Sequence, residues 1–182
     1  SDLHQEMVDQ AVIGSYSADE VLHSGNIDEQ FIAATFERSG ERFVVRPEVR
    51  RQVSFRQCDL LADNLLREFG PADIVICQNV LFHLAPQQAE RAFHAVAACI
   101  APVGALFVEG MDLPLKVSLT RRLGLQPLAY RVRDIHNHSS SHVGSSWWRF
   151  YYGPESYCAL RSDKDRRYGS IFLRGARSII GG

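Results

Sequence analysis

The residues from Ala72 to Leu84 constrain the fold more than any others in the chain. They run Ala-Asp-Ile-Val-Ile-Cys, then Gln78-Asn79, then Val-Leu-Phe-His-Leu. The apolar run reads as a buried strand, and the segment after the polar pair as the entry to a helix. In open α/β sheets, ligands sit in the crevice outside the carboxyl ends of the strands. A polar pair at that point is placed to meet something. An Ala-rich helix is predicted over Pro86 to Ile100. Ala101-Pro102-Val103-Gly104 then leads into a second apolar strand, Ala105 to Gly110. Strand, helix and strand in this order argue for an α/β sheet.

The remaining bounds are broad. A chain of 182 residues is long enough for one domain with a sizeable core. Its net charge of −1 gives no electrostatic case for nucleic acid or for an anionic membrane surface. No apolar run approaches the roughly 18 residues of a membrane helix, and no signal peptide is read at the start. The cysteines, Cys58, Cys77, Cys99 and Cys158, are scattered with no CxxC pair. Cys77 and Cys99 lie in apolar segments and read as buried free thiols, so a cytoplasmic location is expected.

Along the chain, Gln5 to Ile13 is predicted helical. Gly14-Ser15-Tyr16-Ser17 follows, and Ala18-Asp19-Glu20 opens a second helix. Ile27 to Phe36 reads as an amphipathic helix and Ser39-Gly40-Glu41 as a turn. Phe43-Val44-Val45 and Val49 to Phe55 read as two short strands separated by Pro47. Gln57-Cys58-Asp59-Leu60-Leu61 ends a further strand, and Asp63 to Phe69 is a helix stopped by Gly70-Pro71. Leu115 to Leu123 is a helix closed by Gly124. Leu128 to Ile135 and Tyr168 to Leu173 read as strands. The long stretch between them, rich in Ser, His and aromatics, is of the kind that is functional or disordered.

The segment Cys77-Gln78-Asn79-Val80-Leu81-Phe82-His83-Leu84 resembles the Cys-Arg-Asn-Val-Leu-Ile-Tyr-Phe pattern of the CheR family of S-adenosylmethionine (SAM)-dependent methyltransferases. Pro102-Val103-Gly104 resembles that family's Pro-Gly-Gly turn. Asp2, Ala11 and Gly14-Ser15-Tyr16-Ser17 match its early motif, and Phe43 to Arg50 its small antiparallel insertion. The resemblance covers residues 1 to about 112. It implies a Rossmann-like, mostly parallel, seven-stranded α/β sheet. It also implies one partial catalytic domain over 1–182, with a β-subdomain at about 40–56 and a C-terminal substrate-side elaboration at about 112–182. On this alignment the chain starts at the end of the second strand. The first strand, its glycine-rich loop and the first helix would be supplied by the rest of a longer protein or by a second chain. No G-x-G-x-x-G or G-x-x-x-x-G-K occurs in the sequence to replace that loop.

The resemblance also assigns roles. Asp2 would accept from the ribose hydroxyls, although an Asp before a helix is equally an N-cap. Asp59 would face the adenine amino edge, with Leu60 on the ring; a plain turn aspartate is the alternative. Gln78 and Asn79 would lie near the methionine part of SAM. Gln78 replaces the family's Arg and removes a fixed charge, and Asn79 keeps an amide able to bridge main chain and ligand. His83 replaces a Tyr near the transferred methyl. A histidine there can act as a general base, or it can simply be a buried ring bonded to a carbonyl. A carboxylate acceptor needs no base, so His83 argues for a small-molecule hydroxyl, phenol or amine acceptor. Trp147, Trp148, Tyr151 and Tyr152 could wall a substrate pocket or pack a core. Asp134, His136, His138 and His142 have ligand chemistry, but the Ser-rich segment after them argues against a metal, and none is expected.

The expectation is therefore a SAM-dependent methyltransferase of a small O- or N-acceptor. Two alternatives stay open. One is protein-glutamate methylation of chemoreceptors, as the family suggests; the other is a non-catalytic SAM-binding or docking module.

Overall fold

The computed structural model describes residues 1–22, 28–62, 64–108, 113–131, 157–159 and 163–175. Its contacts divide the chain into two compact units, one comprising Ser1–Asp59 and the other beginning at Leu60.

In the first unit, α1 (Gln5–Ile13) ends as expected at Gly14, whose φ of +61° lets its N–H return to the Gln10 carbonyl. The strand β1 (Ser15–Ser17) follows, then the helices α2 (Ala18–Leu22) and α3 (Glu29–Thr35). The Ser of the Gly-Ser-Tyr-Ser motif has a local task. Ser17 Oγ accepts from the Glu20 N–H, and the Glu20 carboxylate accepts from the Ser17 N–H at 2.6 Å. This reciprocal pair is a capping box that starts α2. Helix α3 starts from Asp28, which accepts from the Phe31 N–H at 2.6 Å. No residue of α3 is buried, and Phe31 is 52% exposed, so the apolar side expected of this helix does not enter a core here.

The antiparallel insertion is present as a three-stranded sheet in the order β1-β3-β2, built from β2 (Phe36–Ser39) and β3 (Arg42–Val45). Its strands are not all those expected. Val49 to Phe55 is not a strand. Pro47, with its fixed φ, stands at the first position of the short helix α4 (Pro47–Arg50), where its missing N–H is harmless. The third strand is instead Phe36–Ser39, whose first residue had been assigned to the end of a helix. Tyr16, Phe36 and Phe43 hold the sheet edge-to-face, with ring centroids 6.0 and 6.3 Å apart. The same unit holds a short parallel pairing of Asp2 with Gln57, in which the Cys58 N–H donates to the Asp2 carbonyl at 2.8 Å.

The second unit starts with α5 (Leu65–Phe69) and β4 (Ala72–Cys77), the strand expected over those residues. A 3-10 turn at Leu81–His83, α6 (Pro86–Ala98), β5 (Ile100–Val108) and α7 (Leu113–Arg122) follow. The strands β6 (Gln126–Arg131), β7 (Tyr157–Ala159) and β8 (Gly169–Arg174) complete the sheet, in the order β4-β5-β8-β6-β7. Only β4 and β5 pair in parallel; the other three pairings are antiparallel. Because β5 and β6 both run against β8, the strands β4, β5 and β6 share one direction. The two late strands are those expected, shifted by a few residues. The sheet of this unit is thus mixed rather than mostly parallel, and it shows five strands, not seven, among the described residues.

Helix α6 buries Ala89, Ala92, Phe93, Val96 and Ala97, the spacing of one helical face. They join Cys77, Leu81, Leu106, Val108, Leu119, Leu125 and Phe172 in the main core. The Pro102-Val103-Gly104 segment is no separate turn. It lies inside β5, where the register against β4 jumps from Ala72–Ile100 to Ile74–Ala105. A Cβ on Gly104 would stand 2.9 Å from the Asp73 carbonyl, so the bulge needs glycine. The expectation that β4 is fully buried is corrected. Ile74 and Ile76 are 59% and 66% exposed, because they alternate with Val75 and Cys77 and it is the latter pair that faces the core.

Candidate cofactor site

Those site residues expected from the sequence that the structure describes fall on two short segments of the first unit and two of the second. In the first unit, Asp2 sits in the parallel pairing with Gln57, two residues before Asp59. Strand pairing therefore brings these two carboxylates to neighbouring chain ends. Asp2 is not an N-cap: His4 holds that position on α1, and Asp2 Oδ1 accepts from the His4 N–H at 2.8 Å. This contact fixes the carboxylate at the chain end while using one of its roughly four acceptor sites. Both Asp2 and Asp59 are exposed.

In the second unit, Leu60 is half-buried and packs against the main core. It is anchored there as well as placed to offer an apolar surface. Gln78 to His83 leave the carboxyl end of β4. Cys77 is buried, and burial pushes its thiol up to about 11, so it is a packing residue and not a nucleophile at neutral pH. Gln78 is half-buried at the strand end, where a polar side chain has both a fixed root and partial access to solvent. Asn79 is exposed and has a φ of +57°, the one non-glycine residue with positive φ among those described. Leu81 then drops into the core at 1% exposure, and the His83 N–H closes the turn on the Val80 carbonyl at 3.0 Å.

His83 is exposed, its ring 3.9 Å from that of Phe82 and tilted by 40°. The alternative of a buried histidine is thereby excluded. Phe82 was not singled out from the sequence; an aromatic beside a histidine at a strand-to-helix turn is the only signal that could have marked it. Trp147, Trp148, Tyr151 and Tyr152 lie outside the described residues, as do Asp134, His136, His138 and His142. No helix among the described residues is long and apolar enough to cross a membrane.

Each segment by itself has chemistry that SAM can use. The first unit has carboxylates for hydroxyl and amino donors, and the second has an apolar side chain for a ring and an amide at the strand end. The family model of the CheR methyltransferase SAM-binding domain matches residues 1–115. The chain belongs to that family. It is 29% identical to a chemotaxis protein methyltransferase of Listeria innocua over 112 residues, covering 62% of this chain and 40% of the relative. It is 26% identical to the probable biofilm formation methyltransferase WspC of Pseudomonas aeruginosa over 140 residues, 76% of this chain and 31% of the relative. With chemotaxis protein methyltransferase 1 of Vibrio cholerae it shares 28% over 109 residues, 59% and 38% of the two chains. The chain thus spans about two fifths or less of these curated relatives. The small-molecule acceptor expected from His83 finds no support among these relatives.

Proposed function

We propose that this chain is the SAM-binding part of a CheR-type methyltransferase whose acceptor is a protein carboxylate, the glutamate of a chemoreceptor. The family match over residues 1–115 carries the reading. SAM supplies an electrophilic methyl on a sulfonium. A carboxylate oxygen takes the methyl carbon as the carbon–sulfur bond breaks; positive and negative charge are lost together and no proton moves. Such a step draws its rate from positioning.

In this reading Asp2 accepts from the ribose hydroxyls and Asp59 from the adenine amino group. Leu60 covers the ring, and Gln78 holds the methionine end. His83, exposed and stacked on Phe82, orients the acceptor and is not its base, because a carboxylate is already ionised at pH 7. The place of β4 at the end of the strand order supports a further parallel strand docking on its edge, and the uncovered Ile74 and Ile76 support a helix covering that face.

The test uses the full-length protein. Calorimetric titration with S-adenosylhomocysteine should give a Kd of about micromolar order. Labelled SAM should place alkali-labile methyl on receptor-bearing membranes. Alkali-stable label would sink the carboxylate acceptor. Binding with no transfer to protein would point to a docking module. Replacement of His83 by Phe should lower turnover without removing a limb of the pH profile around neutrality. Loss of such a limb would restore the base and the hydroxyl or amine acceptor.

A further inference from the structure

The left-handed backbone at Asn79 stands at the point where the chain must stop being β4 and start the turn that carries His83. A φ of +57° is costly for residues with a Cβ, least so for Asn and Asp, and free for Gly. The residue type is therefore explained by the backbone, without any contact from its amide to a ligand.

The neighbours fix what this turn does. Cys77 before it and Leu81 after it are buried at 6% and 1%, so both ends of the segment are pinned in the core. Three residues separate them. An extended chain would carry Leu81 on past the sheet end. The reversal at Asn79, continued by Val80 at φ −122° and ψ −50°, brings Leu81 back under the strand. It leaves Gln78 at the end of β4 on one side of the pivot and the 3-10 turn of Leu81–His83 on the other. Asn79 is exposed while the two residues that hold the turn are not.

We infer that Asn79 is a positioning residue: its left-handed conformation sets Gln78 toward the cofactor and His83 toward the acceptor, and its side-chain amide is not a cofactor ligand. The inference rests on the cofactor reading above. An alanine here relaxes toward negative φ in the free protein, and ligand binding must then restore the turn. The strain of the left-handed state thus shows in affinity as well as in stability. A glycine keeps the turn and lacks the amide.

The experiment compares Asn79→Ala, Asn79→Gly and Asn79→Asp in the full-length protein. S-adenosylhomocysteine Kd is measured well below each variant's own melting temperature. Wild type must bind first, and its failure would count against the cofactor reading alone. Asn79→Ala should weaken binding by about tenfold, with Gly and Asp each recovering most of that loss. A role in stability alone would lower the melting temperature and leave Kd in place, which overturns the inference. Glycine as weak as alanine would also overturn it and make the amide a ligand. If alanine fails to fold, the other two variants decide: both binding several-fold better than a Gln78→Ala control supports the pivot, and both binding as poorly overturns it.

Discussion

The two units of this chain are held together differently. In the second unit, large side chains vanish from solvent: Phe93, Leu106, Leu119, Leu125 and Phe172 are all at 1% or less. In the first, the buried apolar residues are Val8, Val21 and Cys58 among those described. What replaces a core there is local and directional. The Ser17–Glu20 capping box starts a helix. Arg42 donates to both the Oγ and the carbonyl of Ser15 at 2.8 Å, and Arg46 to the Ala33 carbonyl. Three rings meet edge-to-face across a short sheet. Burial is roughly proportional to area and adds up over many contacts. A net hydrogen bond gives only about 0.5–1.5 kcal/mol. The difference predicts steep mutational costs in one unit and shallow ones in the other.

The largest expected effect lies in the second unit. Phe93→Ala empties a fully buried site between α6 and the sheet and should cost about 3–5 kcal/mol in denaturant unfolding of the full-length protein. A loss under about 1 kcal/mol would mean the core is not packed as described and would erase the contrast. Next comes Gly104→Ala. Its Cβ would meet Ile100 Cγ2 at 2.8 Å and the Asp73 carbonyl at 2.9 Å. Side chain and backbone must both shift, at about 1–3 kcal/mol. An unchanged melting temperature would show that the bulge in β5 is soft.

This same region was the most legible in the sequence. β4 is a six-residue strand, apolar but for Asp73, with Gly70 and Pro71 before it. The helix after it is rich in alanine and carries Ala89, Ala92, Phe93, Val96 and Ala97 on one face, so strand, helix and strand could be placed from local pattern alone. The exposure of Ile74 and Ile76 was not legible, because an apolar run says that a strand can be covered on both faces and not which neighbours cover it. In the first unit, reading failed where the signals conflict. Val49 to Phe55 is strand-like in composition, yet Pro47 begins a helix turn, and Phe36 ends a helical pattern while serving as the first residue of β2. At the site, residue types were legible and conformations were not. Asn79 could be marked as polar, but its positive φ depends on Cys77 and Leu81 both being buried, which only the packing determines.

Smaller effects belong to the first unit. Ser17→Ala removes the acceptor that starts α2 and should cost about 1 kcal/mol, read as a lower denaturation midpoint with an unchanged slope. A loss as large as that of Phe93→Ala would break the comparison, since it would make a local cap as weighty as a core phenylalanine.

The smallest effect has a pH signature. Glu20 is held below the ordinary carboxylate value of 4.5, first by the Ser17 N–H and then by the Ser17 hydroxyl, with Arg42 adding attraction. A group whose folded pKa is depressed stabilises the fold above its unfolded pKa, and that stability is lost as pH falls through the folded value. The contribution should therefore be complete at neutral pH and should fade only below about pH 4.5, as the carboxylate takes a proton and ceases to accept from both Ser17 donors. Glu20 is fully exposed, so solvent and salt screen its charge and the change stays small. Melting temperatures of wild type and Glu20→Gln, taken at pH 7 and again near pH 3.5, isolate it: the gap between them should narrow on acidification. A gap that holds constant across that range would show that Glu20 acts through the shape of its carboxyl end and not through its charge. The polar scaffolding of the first unit would then be no more acid-sensitive than the apolar core of the second.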